Sequence, residues 1–590
     1  MTRLKKMMAM VIAMVVAICT MSFGAFADNT TPTGNVTADP TIKVMGLETG
    51  DVAYFYQVLE WQDANANNAG GWTFVTPFID MKDTKGNDIT VDVLAGDPAA
   101  TPPIPMGISS DIAGVIARTA AGATGTKVDA SNGEASLTID GQKNKPGLYL
   151  VLITPGDPDT VYNPVFVSSD FKQDNPSASW TIRTSASSYT PDSAATKRSK
   201  TTVEKKEDDN IQSPEVGAEM HYTVTATIPG YGEVYTDPHF VIKDQLNNMK
   251  LVAKSVKIVE PADAVATINE TANGFTITFD KQYLKGIKTP TAVKVTYKAI
   301  VTTDAVQGIN EEDNTIVVEY SHDPSNQNDY NVKKDTTEHY TFTIGADVLF
   351  NTGSAIGKST SEIIKVGVDS AGKPISETKV TSQISSTNFQ QGPLEGAHFK
   401  LYTDEGCTQE YIAKDTNGEE VGPLDIVSGA DGRLTIPGLA AGDYWLKEVT
   451  APTGYVKDTV AHHIEIIANL SDEDIEITEY YDPVDGKWYE SNNQGETRKK
   501  VTYKTKVLES YIVKYDGVTA ANHTFTNPGT SIAITWDENS QEIPASFTNT
   551  AGVELPATGG IGTTIFYAIG TILVLGAGIL LVTRRRMETH

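Results

Sequence analysis

HYTVTATI, residues 221–228, sends Tyr222, Val224, Ala226 and Ile228 to one side of an extended chain and His221, Thr223, Thr225 and Thr227 to the other. An apolar set repeating every second residue is the mark of a half-buried strand. The same pattern returns in VKVTY at 293–297 and TIVVEY at 315–320, between turns rich in Gly, Pro, Asn and Asp. Short strands at this spacing predict an all-β chain of tandem immunoglobulin-like β-sandwiches. GLYLVLI at 147–153 and YNPVFV at 162–167 predict two strong strands closing a first domain, and one helix is expected near residues 108–121.

The formal charge is −28 over 590 residues. Such an acidic chain is self-repelling and lacks the basic patches that nucleic acid requires. There are two cysteines. Cys19 falls in an N-terminal leader, so Cys407, in a turn-like EGCTQ, is left without an intrachain partner. Exported, extended proteins are usually braced by disulfides, so another brace is expected here. The nine histidines show no metal-ligand spacing. The turn-forming DTNG at 415–418 lacks the remaining ligands of a calcium loop. No cofactor and no catalytic constellation is expected.

The ends set the compartment. Arg3, Lys5 and Lys6 precede an apolar core, and Ala25-Phe26-Ala27 supplies small residues for cleavage after Ala27, so residues 1–27 read as a signal peptide. At the other end stand Leu555, Pro556, Ala557, Thr558 and Gly559, then an apolar run from Ile561 to Val582, then Arg584, Arg585 and Arg586. That run is about 22 residues long, and a transmembrane helix needs about 20. The arginines hold the tail on the cytoplasmic side. LPATG before an apolar span and a basic end resembles the cell-wall sorting signal of Gram-positive surface proteins. The resemblance implies that a sortase cuts between Thr558 and Gly559 and passes the Thr558 carbonyl to an amine.

A further resemblance covers the interior. LEGAHFKLY at 394–402 is followed by GDYWLKEVTAPTGY at 442–455. Tyr444, Leu446, Glu448, Ala451, Pro452, Gly454 and Tyr455 match the second motif of the Cna-B-type domain of Gram-positive pilins. In that family a buried Glu assists an isopeptide bond between a first-strand Lys and a last-strand Asn. The match implies Glu448 as that acid and Asn549, in FTN at 547–549, as the acceptor. Lys365, in IIKVGVDSAG at 363–372, is the expected amine, with Lys379 as alternative. The chemistry is physically sound. Burial favours the neutral, nucleophilic amine; a buried carboxylic acid shuttles the proton and polarises the amide; ammonia leaves.

Residues 203–338 resemble the Cna-A-like middle domain of pilin shafts. There the resemblance implies Asp244 as acid and Lys205 or Lys206 as amine. His322 stands where related pilins carry the acceptor Asn, so either Asn314 serves or this domain carries no bond. Polymerisation in such pilins uses an exposed Lys between the first two domains, in a motif that this chain matches only at its start, from Trp180. Lys197, with Lys200 behind it, is the candidate on a connector expected to be flexible.

The expected plan is a signal peptide at 1–27, an N-terminal pilin domain at 28–183, a connector at 184–202 and a middle domain at 203–338. A polar loop is expected over 324–338. A C-terminal domain at 339–550, with an extra hairpin near 373–393, and a sorting segment at 551–590 complete the chain. Taken together the chain resembles a sortase-assembled major pilin, a structural substrate rather than an enzyme. The resemblance implies as partners a pilin-type (class C) sortase, a housekeeping sortase, identical subunits, minor pilins and peptidoglycan. A wall-anchored monomeric adhesin, a minor tip or base pilin, and a surface enzyme remain the alternatives.

Overall fold

The described residues of the computed structural model are 41–62, 71–95, 108–140, 142–169, 171–172, 181–182, 193–302, 309–326, 328–345, 347–352, 355–360, 363–369, 371, 392–472, 474–492, 498–525, 533–536, 545–552, 569–579 and 584. The leader, LPATG and Lys379 lie outside them, as does most of the 373–393 hairpin. Of the apolar C-terminal run, residues 569–579 are described and are helical. Among the described residues no helix is long and apolar enough to cross a membrane.

The chain folds as successive β-sandwich units, each built by strand alternation. In the first, Gly71–Phe74, Val52–Gln62, Gly147–Thr154 and Val165–Ser169 form one sheet. Glu134–Thr138, Thr41–Met45 and Ser193–Ala195 form a second. Ile42, Val44, Phe55, Tyr149 and Val151 belong to the apolar cluster they enclose. The expected helix is present as Ser110–Ala120, burying Ala113, Gly114, Ile116, Ala117 and Ala120. That spacing is one face of a helix.

In the second unit, Val203–Glu207, Glu219–Ile228, Thr291–Val301 and Met249–Leu251 form one sheet. The facing sheet runs Ala266–Thr271, Gly274–Phe279, Phe240–Leu246, Ile309–Ser321 and Tyr330–Ile344. Tyr222, Val224, Ala226 and Ile228 are buried in the core between the sheets, as the opening alternation predicts. In the third unit, Ile363–Val368 pairs in parallel with Ala545–Thr550. A six-stranded sheet carries His398–Tyr402, Gly442–Thr450, Ala461–Leu470 and Leu508–Tyr515 at its centre.

Two expectations about the junctions are corrected. Much of the polar stretch expected as a loop at 324–338 is strand: Tyr330–Ile344 pairs antiparallel with Ile309–Ser321. Its outer face is covered by the sheet of Ile475–Asp482, Lys487–Tyr489 and Lys499–Thr505, through Val332, Tyr481, Val501 and Trp488. Lys334 lies over the Trp488 and Tyr503 rings and pairs with Glu479 at 2.6 Å. A strand that buries its polar residues against a distant insertion has no local apolar alternation to announce it. The end of the same strand, Tyr340, Phe342 and Ile344, belongs to the third unit's core, so one continuous strand joins the two units.

Nor is the connector a free tether between residues 193 and 200. Ser193–Ala195 adds in parallel to Thr41–Met45, and Arg198–Lys200 pairs with Thr160–Tyr162. The first two units also meet at Gly114, where an added Cβ would lie 2.1 Å from the Val234 carbonyl oxygen. Alanine is the better helix former by about 1 kcal/mol, so close backbone approach explains this glycine. Gly114→Ala is expected to lose about 1–3 kcal/mol through the forced shift. The thermal midpoint of the secreted region should fall; an unchanged or raised midpoint would refute the contact.

Candidate functional site: two buried lysine–acid–asparagine clusters

Val203–Glu207 alternates so that Lys205 and Glu207 point inward, while Lys206 is exposed. Strand parity thereby separates the two candidate amines. Asp244 lies on Phe240–Leu246 and Asn314 on the neighbouring strand, where Asn314 pairs with Leu246 and Ile316 with Asp244. The two-residue offset puts both side chains on the inner face. Lys205 comes from the opposite sheet, so the cluster spans the sandwich core.

The Lys205 and Asp244 side chains are fully buried, with Nζ 2.7 Å from Asp244 Oδ2. The same amine donates to Asn314 Oδ1. Burial pushes the Lys205 amine below its ordinary value, against the opposing pull of Asp244. Burial likewise pushes the Asp244 carboxyl up, against Lys205 and Tyr297. Both directions favour a neutral amine beside a neutral acid. His322 does not enter the cluster; it pairs with Asp329 at 3.2 Å.

Two members escaped the sequence reading. The Tyr297 hydroxyl donates to Asp244 Oδ2 at 2.8 Å and lies 3.2 Å from Asn314 Oδ1. Asp335 Oδ2 accepts the Lys205 backbone N–H at 2.6 Å, and burial pushes its carboxyl up to about 6. Tyr297 closes the quoted VKVTY alternation, a signal for burial though not for a polar role. Asp335 lies in the stretch read as a loop.

The second cluster stands in the third unit. Lys365 pairs with Phe547 and Gly367 with Asn549 across the parallel strands, so Lys365 and Asn549 share a face. Lys365 Nζ lies 3.5 Å from Glu448 Oε1, and both side chains are fully buried. Phe399 lies beneath the amine, 5.2 Å from ring centre to Nζ. Burial pushes this amine down too, opposed by Glu448. Asn549 Nδ2 donates to Glu448 Oε2 at 2.8 Å and to the Val456 carbonyl at 2.7 Å. Lys365 Nζ and Asn549 Oδ1 are both buried without a hydrogen-bond partner. A buried amine whose charged form burial disfavours, a carboxyl group beside the leaving nitrogen and a carbonyl oxygen without a partner suit amide condensation. The alternation of the 442–455 motif placed Glu448 inward, as the sequence implied.

His462 bears on this cluster. Its ring stacks on Phe547, centroids 3.9 Å apart, and pairs with Asp458 at 2.9 Å and Asp516 at 2.7 Å. Burial alone would lower the imidazole, but the two aspartates outweigh it and the net direction is up. A raised folded value stabilises the charged form. This contribution is complete below the unfolded value of about 6.5 and is lost as pH rises through the folded one. The third unit is therefore expected to melt lower as pH rises through that window, and His462→Gln should flatten the dependence. An unchanged pH slope in the variant would refute it.

Of the candidate attachment lysines, Lys197 is exposed, and its carbonyl accepts from the Asn163 N–H at 2.9 Å. The Lys200 amine instead donates to Asp157 at 2.6 Å. Cys407 is uncrosslinked, in a turn with φ 50°. Asp415 caps its own turn through the Asn417 and Glu419 N–H groups. No group of three metal-ligating side chains gathers among the described residues.

Residues 381–481 match the SpaA family, described as a prealbumin-like fold domain. Residues 548–589 match the LPXTG cell wall anchor motif. The chain is 22% identical over 476 residues to the trypsin-resistant surface T6 protein of Streptococcus pyogenes serotype M6, covering 74% of this chain and 79% of that protein. Among solved structures, the T6 backbone pilin of S. pyogenes is similar at 16% identity and TM-score 0.49, covering 88% of this chain and 100% of that one. The major pilin subunit BcpA of Bacillus cereus is similar at 14% identity and TM-score 0.37, with 87% and 99% covered. This chain thus carries a SpaA-type prealbumin-like domain followed by an LPXTG anchor, and it is an extracellular protein attached to the cell wall.

Proposed function

We propose that the protein is the backbone subunit of a covalent, sortase-polymerised pilus, with two of its β-sandwich units closed by isopeptide bonds. The carrying observation is the pair of buried clusters, Lys205–Asp244–Asn314 and Lys365–Glu448–Asn549, in a chain with one cysteine outside the leader and an LPXTG anchor. Each cluster holds an amine whose charged form burial disfavours, a carboxyl group and a carboxamide. Each bond forms as the lysine nitrogen attacks the asparagine Cγ and ammonia departs. The clusters sit near the first and last strands of their units, so each bond closes most of a unit into a loop.

A fibre subunit under tension gains most from such closure, because pulling its ends then cannot extend the enclosed chain. A pilin-type sortase cuts after Thr558 and joins its carbonyl to Lys197 of the next copy. A housekeeping sortase transfers the finished polymer to peptidoglycan, and minor pilins complete it. The similarity to the T6 surface protein over most of both chains supports this reading. Intact mass measurement on residues 28–558, with peptide mapping, tests it. The expected result is the loss of two ammonia molecules and two branched peptides, Lys205–Asn314 and Lys365–Asn549. An unaltered mass would overturn the stapled-shaft reading and favour a plain wall-anchored adhesin.

A further inference from the structure

We propose that Tyr297 is a catalytic residue of the Lys205–Asn314 condensation, relaying a proton between Asp244 and the carboxamide. The inference rests on the reading of that cluster as bond-forming.

The two clusters solve one problem differently. In the third unit the acid touches the amide directly, Asn549 Nδ2 to Glu448 Oε2 at 2.8 Å. In the second unit the acid is an aspartate, shorter by one methylene, and no hydrogen bond joins Asp244 to Asn314 among the described residues. Tyr297 stands between them. Its hydroxyl donates to Asp244 Oδ2 at 2.8 Å, lies 3.2 Å from Asn314 Oδ1, and accepts from Asn314 Nδ2 at 3.0 Å. It therefore touches the acid, the oxygen that becomes an oxyanion and the nitrogen that leaves. The ring is held by stacking on Tyr222, centroids 5.2 Å apart, and by Phe275 edge-on at 4.9 Å.

The step balances. The neutral Lys205 nitrogen attacks Asn314 Cγ, and the Tyr297 hydroxyl donates a hydrogen bond to the developing Oδ1 charge. The neutral Asp244 carboxyl releases its own proton as it takes the one shed by the lysine nitrogen, which touches it at 2.7 Å. The released proton goes to the Tyr297 oxygen as the phenol gives its own to Nδ2. The C–N bond breaks, ammonia leaves, the carbonyl re-forms, and Tyr297 and Asp244 end as they began. No further reactant is required.

The test follows bond formation by mass in a reconstituted translation reaction, sampled over time. Full-length secreted chains would be compared as wild type, Tyr297→Phe, and with 3,5-difluorotyrosine at 297. Phenylalanine keeps the ring and its stacking. It is expected to slow the Lys205–Asn314 bond by about 100-fold or more, the usual reach of general acid–base assistance. The Lys365–Asn549 bond should form normally in the same molecule, which reports that the chain has folded. Difluorotyrosine keeps the shape but holds its proton less tightly, so the rate and its pH profile should shift. Wild-type rates in both variants would overturn the relay and leave the staple intact. A wild-type chain that never forms the Lys205–Asn314 bond would overturn the reading of the cluster and the relay with it.

Discussion

A Glu448→Gln chain is expected to retain one ammonia more than the wild type and to lack the Lys365–Asn549 peptide. Glutamine fills the same volume and still meets the Asp458 N–H, which donates to Glu448 Oε2 at 2.6 Å. It cannot take the proton that Lys365 must shed. Without the bond the third unit loses a covalent loop running from residue 365 to residue 549. Treated like a disulfide of that span, the loop constrains the unfolded chain by about 5 kcal/mol. For a domain of about 200 residues this corresponds to a midpoint lower by about 10–20 °C. The smaller loop from Lys205 to Asn314 is worth nearly as much, because the term grows only with the logarithm of loop length. The middle bond should persist in Glu448→Gln and serves as an internal control. Complete ammonia loss in that variant, with the wild-type midpoint, would exclude Glu448 from the chemistry.

Lys197→Arg is expected to abolish the ladder of covalent multimers when the chain is expressed with a pilin-type sortase, while Lys200→Arg leaves it. Resolution of the sortase acyl intermediate requires an amine that can lose its proton, and arginine cannot. Between the two lysines the surroundings differ. The hydrogen bond it donates to Asp157 holds the Lys200 ammonium above its ordinary value, which makes it the poorer nucleophile. Among the described residues Lys197 has no such partner, and it stands exposed where its backbone is pinned by Asn163. A pinned backbone presents the amine in a constant place, which suits an enzyme better than the loose tether expected from composition. Denaturing electrophoresis of wall extracts separates the outcomes: persistence of the ladder in Lys197→Arg moves the attachment point elsewhere.

Much of the candidate chemistry was legible because strand alternation and motif spacing are local properties. Glu448 was legible through the resemblance of its motif, and the strand turns it inward on the same face as Tyr444 and Leu446. Lys365 and Asn549 were legible only through resemblance to pilin domains, since nothing in either strand announces that they run parallel and adjacent. Lys205 and Lys206 were inseparable until the strand's parity was known, because both flanking patterns are polar. His322 looked like a lost acceptor, yet the strand register brings Asn314, not position 322, against Lys205.

The sequence by itself announced most of the strands and the wall anchor, which depend on residues close in the chain, and it implied an export leader and, through the resemblance, Glu448 as the acid of the third unit. The tertiary structure decided the rest: the strand Tyr330–Ile344 shared by two units, the docking of residues 193–200 on the first, and the place of Tyr297 between Asp244 and Asn314. These depend on which sheet covers which face and in what register. A pairing across a core is set by the summed burial of many residues, and a one-residue slip would turn every one of those side chains to the other face.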